Sequence, residues 1–248
     1  MEAVYAPVVG VARALFAAQG LELTIKGSEH VPRHGGAVMA INHTGYFDFT
    51  YAGLAAVLVG RYVRFMAKKS IWLNPVAGPL MRGMKHIPVD REAGQASFDA
   101  ALDALRRGEV VGLFPEATIS RSFELKAFKS GAARLAQEAR VPLLPTTIWG
   151  SQRVWTKGHP RRLGRHGIPL LVTVGEPLVV GADEDPAAAT ARLKAAMDAQ
   201  LRADQAAYPP VPDAERHLLP VRLGGTAPTL EEADALDAAE REQRRKAP

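Results

Sequence analysis

The sequence predicts an α/β layered domain, a central largely parallel or mixed sheet flanked by helices, with an apolar N-terminal helix before it and a peripheral C-terminal tail after it. Three observations predict this. Strand-length apolar runs alternate with helix-length amphipathic stretches over residues 22–207, the pattern of strand–helix–strand units. The runs 37–41 and 110–114 are apolar at every position instead of alternating, as in strands covered on both faces. The 248 residues, 47% of them hydrophobic, suffice for one large domain with a substantial core.

The elements follow in order. Residues 4–21 read as a helix that stacks Val4, Val8, Val11 and Leu15 on one stripe and Tyr5, Val9, Ala12 and Phe16 on the next. That wide apolar face suits a membrane interface or packing against the domain. Arg13 and Gln19 interrupt the run, so it is not expected to cross a bilayer. No secretory signal is expected, because a basic n-region and a small-residue cleavage site are both missing. Residues 22–26 alternate as a strand, 27–36 form a loop, 37–41 a buried strand, 49–60 a helix and 62–67 a strand. Asn74-Pro75 and Gly78-Pro79 keep any helix in 70–82 short or broken. A strand at 85–89 leads to a helix at 95–107, with Phe98, Leu102 and Leu105 on one face and Gly108 as its stop. A strand at 110–114, a helix at 130–139 and strands at 143–149 and 170–174 come next, and Asp185-Pro186 opens a helix that runs to about Ala207.

Three segments result: an N-terminal helix (1–21), the main domain (22–208), and a Pro-rich linker with a polar helical tail (209–248). Thr229 and Glu232 form a capping box for that last helix. It has few apolar positions, and no chemistry is expected there.

Composition narrows the function. The chain has no cysteine, which excludes a disulfide framework, a thiolate metal site and a cysteine nucleophile. The net charge is +5. The basic excess lies in residues 1–208, so anionic partners are expected: phosphate groups, coenzyme A, an acidic carrier protein or an anionic membrane surface. No nucleic-acid partner is expected, since zinc-finger and RNA-recognition spacings are missing and aromatic residues do not interleave with basic ones. There is no Gly-x-Ser-x-Gly elbow for a serine nucleophile.

Asn42-His43-Thr44-Gly45-Tyr46-Phe47-Asp48 lies between a buried strand and a helix, where α/β sheets usually carry their functional groups. Positions i and i+5 differ by about 140° around a helix, so His43 and Asp48 meet only if the chain turns between them. Gly45 admits such a turn, and Asp48 then sits at a helix start, where a carboxylate is favoured. A histidine held by a carboxylate is a general base with fixed tautomer; the other reading is a helix-capping Asp48 beside a loop histidine. In Phe114-Pro115-Glu116-Ala117-Thr118-Ile119-Ser120-Arg121, Glu116 and the hydroxyls of Thr118 and Ser120 project from a strand end towards glycerol hydroxyls or phosphate oxygens, unless the segment is a plain strand-to-loop boundary. Asp90-Arg91 supplies a guanidinium suited to phosphate, or a surface ion pair. Arg153, Lys157, Arg161, Arg162 and Arg165 are either a contact for headgroups or for another of those anionic partners, or a solvated loop.

The segments NHTGYFD, IPVDR, FPEATIS and VPLLP, in this order and approximate spacing, resemble the four blocks of the glycerophospholipid (lysophospholipid) acyltransferases, the group containing 1-acylglycerol-3-phosphate acyltransferase. The resemblance covers residues 25–180. It implies a glycerol-3-phosphate acyltransferase-like fold and an O-acyltransferase that moves a fatty acyl group from acyl-coenzyme A or acyl carrier protein to a hydroxyl of a lysophospholipid, in the first place 1-acyl-sn-glycerol-3-phosphate. It implies no cofactor beyond that co-substrate, no metal, and a peripheral place on the cytoplasmic face of a membrane. His43 and Asp48 are then catalytic, and Asn42, Arg91, Glu116, Thr118, Arg121, Lys129 and Gly131 bind substrate; Lys129 and Gly131 resemble the segment after the third block. Backbone N–H groups of the 42–44 turn, or a nearby side chain, are expected to receive the oxyanion. The third block departs from the family's Glu-Gly-Thr-Arg: here it reads Glu116-Ala117-Thr118-Ile119. In the family the arginine is thought to help hold the acceptor phosphate. Arg121, Lys126 or Lys129 would have to replace it, or the acceptor is a different lysolipid. The competing reading is a non-catalytic lipid- or coenzyme A-binding protein on the same scaffold.

Overall fold

The computed structural model describes residues 3–90 and 94–246. Among these residues seven strands form one mixed sheet: β1 (Glu22–Lys26), β2 (Ala37–Ile41), β3 (Val63–Lys68), β4 (Ile87–Val89), β5 (Val110–Leu113), β6 (Leu143–Trp149) and β7 (Pro169–Val174). Their order is β1-β7-β6-β2-β5-β3-β4. The run β6-β2-β5-β3-β4 is parallel throughout, and the antiparallel pairing of β7 with β6 makes the sheet mixed.

The helices are α1 (Tyr5–Ala18), α2 (Asp48–Val57), α3 (Ala77–Gly83), α4 (Gly94–Arg106), α5 (Gly131–Ala139), α6 (Pro186–Ala207) and α7 (Leu230–Lys246). All five residues of β2 are buried, which explains its unbroken apolar character, and all seven of β6 are buried too, Thr146 and Thr147 among them. Alternation along β2 divides the core. Val38 and Ala40 pack with α4, α5 and α6 residues such as Leu105, Leu135 and Leu193. Ala37, Met39 and Ile41 pack with Tyr51, Ala52 and Ala55 of α2. The result is a sheet between two helical layers.

The expected broken helix in 70–82 is a 3-10 turn (Lys69–Leu73) followed by the short α3. The N-terminal helix divides its two stripes. Tyr5 is buried, donating its hydroxyl to Val63 O at 2.8 Å, and Phe16 meets Tyr51. Val11 and Leu15 of the other stripe are exposed, 61% and 57%. No helix among the described residues is long and apolar enough to cross a membrane.

The C-terminal segment differs from the expected peripheral tail. The capping box forms, with Thr229 N donating to Glu232 and Glu232 N donating to Thr229 Oγ1. Yet α7 is seated on the domain, with Ala233 and Asp237 buried. Low apolar content misleads here because the helix is held by charge.

Candidate active site

The carboxyl ends of three adjacent parallel strands, β6, β2 and β5, build the site, at the sheet edge where α/β proteins place their chemistry. β2 delivers Asn42 and His43, β5 delivers Phe114 to Glu116, and β6 delivers Gly150 and Ser151. Asp48 opens α2, so the turn between strand and helix folds the carboxylate back onto the imidazole. His43 Nδ1 lies 3.0 Å from Asp48 Oδ2. The ring stacks on Phe114 (centroids 4.0 Å apart) and is 18% exposed, and its Nε2 has no hydrogen-bond partner among the described residues.

Asp48 itself is fully buried and heavily held. Its Oδ2 also accepts from Thr44 N at 2.7 Å and Gly45 N at 2.8 Å, and its Oδ1 accepts from Ser151 Oγ at 2.5 Å. Both oxygens of the buried carboxylate are thus hydrogen-bonded. Ser151 and Thr44 Oγ1 lie 3.0 Å apart, and Thr156 Oγ1 donates to Thr44 O at 2.6 Å, so the segment after β6 buttresses the whole turn. Gly45 is needed here for close approach, not for an unusual backbone angle: a Cβ on it would lie 2.9 Å from Ser151 Oγ and 3.0 Å from Ser151 O.

Several residues expected to bind substrate do other work. Asn42 is fully buried, and its amide exchanges two bonds with the backbone of Ile148 on β6, Nδ2 to O and N to Oδ1. It therefore ties two strands together, with both polar atoms of its side chain engaged. Glu116 is buried, and its two oxygens accept from His43 N at 2.8 Å and Lys126 N at 3.0 Å. It clamps the histidine's backbone instead of facing a ligand. Burial pushes its carboxyl up to about 7 in spite of those two N–H bonds. Ser120 is buried too; its hydroxyl donates to Glu124 O, and its N–H donates to His43 O at 2.7 Å.

Nor are the backbone N–H groups of the 42–44 turn open to an oxyanion. Asn42 N is spent on Thr146 O, His43 N on Glu116 and Thr44 N on Asp48. Thr118 is half-buried, and its hydroxyl makes no hydrogen bond within the described residues. Ala117, at the position of the family glycine, has φ 60°, a left-handed conformation that glycine adopts without strain. Ile119, at the position of the family arginine, is buried.

The remaining cations are mostly engaged. Arg121 and Lys126 bond to Asp237 of α7. Lys129 is exposed and makes no ion pair among the described residues, while its N–H reaches Pro115 O. Gly131 is the first residue of α5, with open space where a Cβ would lie. Arg91 lies outside the described residues. The five-residue basic cluster is not one free patch: Arg153 and Arg162 grip Glu215, Lys157 pairs with Asp237 and Glu240, and Arg161 lies over Trp155. Two clefts of about 610 Å³ lie away from His43, one along α7 beside Ala227 and Leu236, the other beside Arg64, His86 and Glu109.

A family model described as Acyltransferase matches residues 22–149, more than half of the chain and all three strand ends of the site. The chain belongs to the acyltransferase family. Among its relatives, the 1-acyl-sn-glycerol-3-phosphate acyltransferase of Bacillus subtilis is 31% identical over 155 residues, 62% of this chain and 72% of that protein. The protein of the same name from Limnanthes douglasii is 32% identical over 145 residues, 56% of this chain. The chain spans about half of that plant relative's length, 49%. The crystal structure of the 1-acyl-sn-glycerophosphate acyltransferase of Thermotoga maritima shares the fold, with TM-score 0.67 and 19% identity, covering 80% of this chain and 78% of that one.

Ser151 is a member of the candidate site that sequence reasoning missed. The signal available was weak: a Gly-Ser pair directly after an apolar strand, 103 residues from its partner Asp48.

Proposed function

We propose that this acyltransferase moves a fatty acyl group from an acyl thioester, acyl-coenzyme A or acyl carrier protein, to the free hydroxyl of a lysophospholipid, 1-acyl-sn-glycerol-3-phosphate in the first place. The observation that carries the reading is the His43–Asp48 pair at 3.0 Å, with Asp48 buried and accepting three further hydrogen bonds. Asp48 accepts a hydrogen bond from Nδ1–H and so leaves Nε2 as the base. Nε2 takes the proton of the acceptor hydroxyl as its oxygen attacks the thioester carbonyl. The tetrahedral intermediate collapses, the C–S bond breaks, and the imidazolium returns its proton to the departing thiolate. Asp48 stabilises the imidazolium while it exists. Thr118, whose hydroxyl is otherwise unpartnered, is the proposed donor to the oxyanion or to an acceptor oxygen.

The named activity of the relatives supports this choice of acceptor. A place at the cytoplasmic face of a membrane is part of the proposal. It is supported by the exposed apolar residues Val11 and Leu15 of α1 and Leu73 and Val76 before α3. These elements adjoin, since a Cβ on Gly83 of α3 would lie 2.8 Å from Val4 Cγ2.

The test is acyl transfer from a long-chain acyl-coenzyme A to a panel of lysolipids, wild type beside His43→Ala. A positioned general base is worth about 10²–10⁴-fold, so the folded variant should lose at least that much turnover. Equal rates would remove His43 from the mechanism. No transfer by wild type to any acceptor would leave the chain as a lipid- or coenzyme A-binding protein.

A further inference from the structure

Three cations stand at the foot of the catalytic turn, each one step from a bond that holds it. Arg121 follows Ser120, whose N–H bonds His43 O. Lys126 gives its own N–H to Glu116, whose other oxygen holds His43 N. Lys157 follows Thr156, whose hydroxyl bonds Thr44 O. All three converge on two carboxylates of α7. Asp237 Oδ1 accepts from Arg121 Nε at 3.1 Å and Lys157 Nζ at 2.7 Å, and its Oδ2 accepts from Lys126 Nζ at 2.6 Å. Glu240 Oε2 takes Arg121 Nη2 at 2.9 Å and Lys157 Nζ at 2.6 Å. Asp234 adds a second contact to Lys126 at 2.7 Å.

We propose that Arg121, Lys126 and Lys157 form an anion site for the phosphomonoester of the acceptor, and that α7 closes it by placing Asp237 and Glu240 where that phosphate would sit. The inference rests on the reading of a phosphate-bearing acceptor and names a regulation of the same site. Guanidinium and ammonium groups converging on clustered oxygens are a phosphate-binding arrangement. The two carboxylates together carry the charge of a phosphate dianion, so exchanging one for the other leaves the site's charge nearly unchanged. Ile119 adds no cation to the third block, and Arg121, Lys126 and Lys157 are the ones that converge beside it, whereas Lys129 is exposed and joins no ion pair among the described residues.

The way α7 is attached favours exchange over permanent docking. Within the described side chains of the helix only Ala233 and Asp237 are buried, while Leu230 and Leu236 are exposed. Apolar burial therefore holds it weakly, and its hold comes from ion pairs that a phosphate can replace. Burial opposes the charge on Asp237, but bonds from Lys126, Lys157 and Arg121 outweigh it and hold its carboxyl at about 2. The docked helix thus presents Asp237 to these cations as a carboxylate.

The test uses the full chain. Hydrogen exchange of residues 230–246 is followed with inorganic phosphate, with 1-acyl-sn-glycerol-3-phosphate in mixed micelles, and with the same micelles carrying 1-acylglycerol. The phosphate-bearing probes should quicken exchange in α7 and the 1-acylglycerol should not. Quickening by the lysolipid without inorganic phosphate would assign the site to the headgroup on its lipid. In parallel, Asp237→Asn/Glu240→Gln should lower KM for the phosphate acceptor by about tenfold, the shift expected if α7 leaves the cations free about a tenth of the time. No quickening by either phosphate probe overturns the inference, whether or not the double variant folds. Exchange does not depend on turnover: quickening in a chain that transfers no acyl group would retain the anion site and discard the proposed reaction.

Discussion

Ser151→Ala isolates the bond that sets the proposed base. Four donors hold the Asp48 carboxylate, but they are unevenly shared: His43 Nδ1, Thr44 N and Gly45 N all serve Oδ2, and Ser151 Oγ alone serves Oδ1 among the described residues. Removing the hydroxyl leaves Oδ1 of a fully buried carboxylate without a partner. A hydrogen bond to a charged group is worth about 1.5–3 kcal/mol, and an orphaned buried acceptor keeps its desolvation cost. For a chain of this size each kcal/mol moves Tm by roughly 2–4 °C, so Tm should fall by about 3–12 °C. If about half of the loss is felt in the transition state, turnover falls by about 3- to 12-fold, since about 1.4 kcal/mol is one decade in rate. KM for the acyl donor should hardly move, because Ser151 is buried and reaches no open surface. The assay is thermal unfolding beside steady-state acyl transfer. A variant with unchanged Tm and turnover would refute the view that Asp48 depends on this hydroxyl.

Two other outcomes follow from the third block. Ala117→Gly relieves a left-handed alanine at φ 60° and should raise unfolding free energy by about 0.5–1 kcal/mol, the left-handed penalty less the entropy glycine adds to the unfolded chain; a lower Tm would contradict this. Glu116 carries a pH signature whose sign is set by its raised carboxyl, from 4.5 to about 7. Below 4.5 the folded and unfolded chains both hold this proton; between 4.5 and 7 the unfolded chain releases it first, so stability falls as pH rises and levels off above 7. Wild type's stability relative to Glu116→Gln, read by denaturant unfolding, should therefore drop by about 2–3 kcal/mol from pH 4.5 to 8. A difference that stays constant or grows would remove the raised carboxyl.

The sequence alone determined the features that depend on neighbours along the chain. β2 and β5 show as unbroken apolar runs because both faces of a central parallel strand are covered. α4 shows through Phe98, Leu102 and Leu105 on one stripe, and the starts of α6 and α7 through Asp185-Pro186 and Thr229–Glu232. His43 and Asp48 were legible because five residues and one turn separate them. Only the tertiary structure decided what depends on the strand order β6-β2-β5. That order brings Ser151 to Asp48 across 103 residues and Glu116 to His43 across 73, and it occupies the Asn42 side chain with Ile148. Ion pairs 111 to 119 residues long join Lys126 and Arg121 to α7. The physical reason is that hydrophobic period and capping chemistry are local properties of a chain. The partner that satisfies a buried polar group is chosen by which strand ends the fold sets side by side.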